Sequence, residues 1–100
     1  MKITAKNDRN ESIRISLPSA TWEGYERYGV GRKLTGIYVS PRARRCVIET
    51  DSIWDNGHGQ CVGTSYELIE DDDQLNRLAE RFAVVASALE SAGLVTAEEL

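Results

Sequence analysis

Residues 74–92 read QLNRLAERFAVVASALESA, and their spacing decides the fold class. Leu75, Leu78, Phe82, Val85 and Leu89 recur at intervals of three and four, joined by Ala79 and Ala86. That period puts them on one side of an α-helix. Each large apolar side chain gains about 1.5–3 kcal/mol on full burial, so the stripe needs a surface to cover it. It holds only about two heptads, too few for a sustained coiled coil, so the expected cover is the chain's own sheet. Asp71, Asp72 and Asp73 precede the stripe. One of them can cap the first turn, and all three favour the positive end of the helix dipole. Gly93 is placed to end the helix.

The rest of the chain supplies the sheet. Residues 2–6 and 11–17 read as strands, with Ile13, Ile15 and Leu17 alternating with Arg14 and Ser16. Asn7-Asp8-Arg9-Asn10 is a turn between them, and Pro18 ends the second. Residues 19–28 read as a short helix, because Trp22, Tyr25 and Tyr28 recur every three positions between Ser19 and Gly29. Gly24 weakens that helix by about 1 kcal/mol relative to alanine. Residues 33–40, 45–50 (extending to Trp54) and 62–69 complete the strands. Asp55-Asn56-Gly57-His58-Gly59 is the strongest turn signal, and a two-residue turn at Asn56-Gly57 fits a hairpin. That register sets Cys46 opposite Glu67 and Cys61 opposite Ser52, which excludes a disulfide. The expected fold is α+β: an antiparallel sheet of about five strands with one short and one long C-terminal helix, in the order β-β-α-β-β-β-α. Residues 1–94 form one domain, with 95–100 a short tail.

Apolar residues make up 41% and charged residues 28% of the 100 residues, which suits a folded domain rather than a disordered chain. No signal peptide and no stretch of about 20 apolar residues occurs. The chain is expected to be soluble and cytoplasmic, a monomer or homodimer without membrane contact. Two cysteines make no disulfide framework. The net charge of −4 hides a division. Residues 1–45 carry ten basic residues against four acids, and residues 46–100 carry two against twelve. Such asymmetry points to charged partners, unless the two halves neutralise each other in the fold.

Groups suited to catalysis are few. His58 is the single histidine. Cys46, His58 and Cys61 form the one nucleophile-and-base set, and with Asp51 or Asp55 the one zinc set. The spacing matches no metal or thiol-enzyme signature, so both cysteines are expected in the core and His58 on a turn. Gly29-Val30-Gly31-Arg32-Lys33 lacks the spacing of a phosphate-binding loop. The chain is expected to have no catalytic residue, metal, cofactor or small-molecule substrate.

Two charged runs remain. Glu70, Asp71, Asp72 and Asp73, extended by Glu67, Asp55, Glu49 and Asp51, form an acidic strip that can imitate phosphates, or serve merely to cap the helix. Arg32, Lys33, Arg42, Arg44 and Arg45 can contact phosphates, with Trp22, Tyr25, Tyr28 and Tyr38 as stacking surfaces, or the aromatics can be core and the arginines solvated. In size, acidity and lack of catalytic motifs the chain resembles the anti-CRISPR proteins of phages and mobile elements. The residues that carry the likeness are Glu70–Asp73 and the acids from Glu49 to Glu67. The likeness covers the whole chain as general character, without a shared motif. It implies inhibition by binding a CRISPR surveillance complex and blocking its DNA-binding surface. The expected function is a non-enzymatic protein–protein inhibitor of a nucleic-acid-handling complex, whose partner presents a basic surface. The alternative is a small nucleic-acid-binding module using the basic N-terminal half.

Overall fold

The computed structural model describes residues 1–55, 57 and 60–92, apart from the side chains of residues 53–55 and 60–62. The turn positions Asn56 and His58, the stop at Gly93 and the tail 95–100 lie outside the described residues, as do the side chains of Asp55 and Cys61. Among the described residues, six strands and two helices follow one another: β1 (Lys2–Lys6), β2 (Ser12–Ser16), β3 (Trp22–Arg27), β4 (Arg32–Val39), β5 (Cys46–Asp55), β6 (Gln60–Ile69), α1 (Asp72–Arg81) and α2 (Ala83–Ser91). The strands lie in the order β2-β1-β6-β5-β4-β3. The fold is α+β as expected. The sheet is mixed rather than antiparallel, because β1 runs parallel to β6.

The largest difference from the sequence reading is at residues 22–27, a strand where a helix was expected. Spacing of three fits a helix face, but tertiary contacts decide here. Trp22 stacks on Phe82 with ring centroids 4.7 Å apart, while Tyr25 is exposed. Gly24 is required by the tryptophan, since a Cβ there would lie 2.5 Å from Trp22 Cζ2. Gly29 and Gly31, at φ +88° and +71°, turn the chain from β3 into β4 instead of closing a helix. The second difference is in register. β5 pairs with β6 through Cys46↔Ile69 and Trp54↔Cys61, two residues along β6 from the expected alignment. The pair Asp55↔Gln60 leaves a four-residue connection in place of a two-residue turn. The cysteines still do not face each other, and Cys46 is a free thiol.

The long helix is interrupted at Phe82, whose backbone is extended at φ −128° and ψ 110°. Its N–H still donates to the Leu78 carbonyl, and its own carbonyl accepts from Val85 and Ala86. The whole stripe is buried nonetheless. Leu75, Leu78, Phe82, Val85 and Leu89 pack with Leu34, Ile37, Val39, Cys46, Ile48 and Ile69 from the middle of the sheet. Asp71 is the cap: its carboxylate accepts the Gln74 N–H at 3.1 Å.

Alternation along the strands sends the other residues to the opposite face. There Val47 and Leu68 join Ala5 in a second core, with Ile3, Ile13, Ile15, Leu17, Tyr38 and Tyr66 around it. No described helix residue belongs to this cluster. The β1–β2 hairpin registers with the sheet through one pair, Lys6↔Glu67. Its attachment therefore rests on the packing of its apolar side. Asn7 shapes its turn, accepting from the Arg9 and Glu11 N–H groups at 3.0 and 2.9 Å. Asn10 takes the left-handed conformation, φ 62°, which asparagine tolerates better than most residues.

Candidate functional site

The opposed charges of the two halves meet across the fold. Arg32 bonds Glu67 at 2.6 Å. Arg44 reaches Asp72 at 3.3 Å and donates to Asn76 at 2.9 Å. Arg45 lies 3.8 Å from Glu70, and Arg81 lies 3.2 Å from Glu26. The first three of these pairs join the basic half to the acidic half and the fourth runs the other way, so part of the charge division is compensated locally.

The acidic run is thereby divided. Glu67 is turned to the helix-bearing face, half-buried and held by Arg32, which also donates to the buried Thr50 hydroxyl at 2.9 Å. Glu49 accepts from the hydroxyls of Thr35 at 2.9 Å and Tyr38 at 2.8 Å, and Asp51 from Thr64 at 2.8 Å. Glu70, Asp71, Asp72 and Asp73 stay together at the start of α1, all four exposed. Asp72 keeps 78% of its side chain in solvent despite Arg44. The Asp73 side chain makes no hydrogen bond or ion pair among the described residues. Exposed pairs of this kind are worth about 0–1 kcal/mol, so a partner's cations can displace them. This corner is the accessible part of the expected strip.

The basic set is dispersed more thoroughly. Arg32, Arg44 and Arg45 are engaged as above, and Lys33 lies over the Tyr25 ring at 5.8 Å. Arg42 has no ion pair among the described residues. It borders a groove of about 410 Å³ between the end of the hairpin and residues 40–45, with Leu17, Tyr38 and Leu68 in its wall. The aromatic set does not form one platform. Trp22 is part of the helix-side core, Tyr28 lies half-buried under Arg32 at 5.4 Å, and Tyr38 is tied to Glu49.

Cys46 is 1% exposed and belongs to the core, and burial pushes its thiol up to about 12. It is neutral at physiological pH and so not a thiolate nucleophile. Tyr38 is raised by burial, then by its hydrogen bond to Glu49. Tyr28 and Tyr66 are raised first by burial, then by Glu67 and Glu49 respectively. In each case the folded protein holds a proton that the unfolded chain releases from about pH 8.5 for cysteine and 10 for tyrosine. Stability must therefore fall as pH rises above about 9 and continue falling towards 12. Urea midpoints measured from pH 7 to 11 are expected to be flat at first and then to decline. Cys46→Ala lowers the whole curve but removes the first part of the decline. A midpoint that rises above pH 9 would contradict these burials.

Among the described residues no three of His, Cys, Asp and Glu are grouped to hold a metal ion. No helix among them is long and apolar enough to cross a membrane. No protein-family model, curated protein or solved structure matches the chain.

The sequence reading missed one surface. Lys2, Lys6 and Arg14 lie on the side of the hairpin opposite Ile3, Ala5, Ile13 and Ile15. Strict alternation in both segments was the signal for it.

Proposed function

We propose that this protein is a non-enzymatic inhibitor that binds a nucleic-acid-handling protein complex and occupies its basic nucleic-acid-binding surface. The proposal extends to a CRISPR surveillance complex as the target class. The observation that carries it is the exposed carboxylate corner Glu70–Asp73. It stands on a capped helix that the helix-side core holds in place. Four carboxylates on consecutive residues offer arginine and lysine side chains closely spaced anionic partners, as a phosphate backbone does. A rigid helix start presents them with little ordering cost on binding. The nearby Arg44 and Arg45 do not defeat this, because their contacts with Asp72 and Glu70 are solvent-exposed.

The test is retention of a nucleic-acid-binding complex by tagged full-length protein after nuclease treatment of the extract. Asp72→Lys combined with Asp73→Lys places like charges against the partner and is expected to weaken retention by about tenfold or more. Asp71 is left intact because it caps α1. Glu67→Gln is expected to leave retention unchanged, since Glu67 is occupied by Arg32. Full retention by the double-lysine variant, with unchanged circular dichroism, would reduce the corner to a helix cap.

A further inference from the structure

We infer that the outer face of the β1–β2 hairpin is a second binding surface, and that it takes the phosphate backbone of duplex DNA. The register Lys2↔Ser16, Thr4↔Arg14 and Lys6↔Ser12 gathers three cations and three hydroxyls on one face. All six residues are exposed. The side chains of Lys2, Lys6 and Arg14 make no hydrogen bond or ion pair among the described residues, unlike those of Arg32, Arg44, Arg45 and Arg81. The two lysines sit four residues apart on one strand, on either side of Thr4, with Arg14 opposite Thr4 on the next. Diagonal neighbours in such a ladder are about 7–8 Å apart at Cα, so the cations form a zigzag row rather than a single point. The opposite side of the hairpin is committed to the second core, so this face lies on the helix-bearing side of the sheet, exposed beyond the helices, with Lys6 in register beside Glu67 at its inner end.

The shape and composition of the face select the ligand. A two-stranded ribbon fits the major groove of B-form DNA. The major groove of an RNA duplex is too deep and narrow for side chains to read. Single strands are held by stacking on aromatic rings, and the outward positions are Lys, Thr, Lys, Ser, Arg and Ser. Lysine, arginine and hydroxyl groups are the usual donors to phosphate oxygens. Asp8 and the exposed Arg9–Glu11 pair at 3.1 Å lie at the turn, away from the centre of the row. The ordinary use of lysines on an edge hairpin is to discourage strand pairing. That use does not predict salt-dependent binding of DNA, which separates the two readings.

The experiment is fluorescence anisotropy of the full chain with a labelled 20-base-pair DNA duplex of mixed sequence, from 20 to 200 mM salt. Three phosphate contacts give a slope of about −2.7 in log K against log salt, a loss of about fortyfold between 50 and 200 mM. Each single change among Lys2→Gln, Lys6→Gln and Arg14→Gln is expected to reduce that slope by about 0.9. The triple variant is expected to lose the salt-dependent binding. No binding at 20 mM salt would overturn the inference, as would unchanged binding by the triple variant. Equal or tighter binding of single-stranded DNA or duplex RNA would overturn the assignment to duplex DNA. The Asp72→Lys, Asp73→Lys variant must still bind DNA with at least the wild-type slope. Failure of the inhibitor proposal and failure of this one are thus read on different variants.

Discussion

Phe82→Ala is expected to destabilise the protein by about 3–5 kcal/mol, the usual cost of removing a buried aromatic side chain. Phe82 is 7% exposed, stacks on Trp22 and sits where α1 gives way to α2. An opposing effect exists: alanine is the best helix former and can let the two helices join. That gain is at most about 0.7 kcal/mol over ordinary residues, so cavity formation wins. Domains of ordinary stability hold only about 5–15 kcal/mol in total. The variant's urea midpoint should therefore collapse rather than shift slightly. Val84→Ala, two residues on and 50% exposed, is the control and is expected to change stability by about 0.5 kcal/mol or less. Equal effects at the two positions would mean that the interruption is a local irregularity and not an anchor between helix and sheet.

Leu68→Ala tests the other face and is expected to cost about 2–5 kcal/mol. Leu68 is 5% exposed and packs with Ala5 and Val47. Only one registered residue pair ties β1 to β6, so these side chains carry most of the hairpin's attachment. The loss should be local as well as global. Hydrogen exchange at the Asn7 and Leu17 amides, which bond to Glu11 and Met1 carbonyls, is expected to accelerate well beyond that of amides in β5. Uniform acceleration across β1, β2 and β5 would show that the hairpin is not a separately detachable layer. The same variant should weaken DNA binding if the outer face needs a fixed hairpin.

The parts of this fold legible in the sequence are those where a local pattern and the tertiary environment agree. The stripe from Leu75 to Leu89 needs one buried side, and the sheet provides it. Ile13 and Ile15 alternate with Arg14, and the hairpin buries one side and exposes the other. At residues 22–27 the two disagree. Trp22, Tyr25 and Tyr28 have helical spacing, but contact with Phe82 and pairing with β4 lie far away in sequence, and those contacts win. The register of β5 with β6 depends on a loop length that dipeptide preference alone does not fix, hence the difference of two residues. Of the charged residues singled out, Glu70–Asp73 remain one surface because they are consecutive on a helix start. Arg32, Lys33, Arg44 and Arg45 do not, because each finds its own neighbour only once the strands are assembled, and Arg42 is left apart from them beside the groove. The parallel contact between β1 and β6 is likewise invisible until the chain is folded.

A protein that occupies a partner's basic nucleic-acid-binding surface must displace the nucleic acid held there. The most direct measurement loads the retained complex with labelled DNA and titrates in protein carrying Lys2→Gln, Lys6→Gln and Arg14→Gln, so that hairpin binding does not interfere. The expected result is release of the DNA as the protein binds, and no release with the Asp72→Lys, Asp73→Lys changes added. Stable binding of the protein with the DNA still fully retained would contradict it.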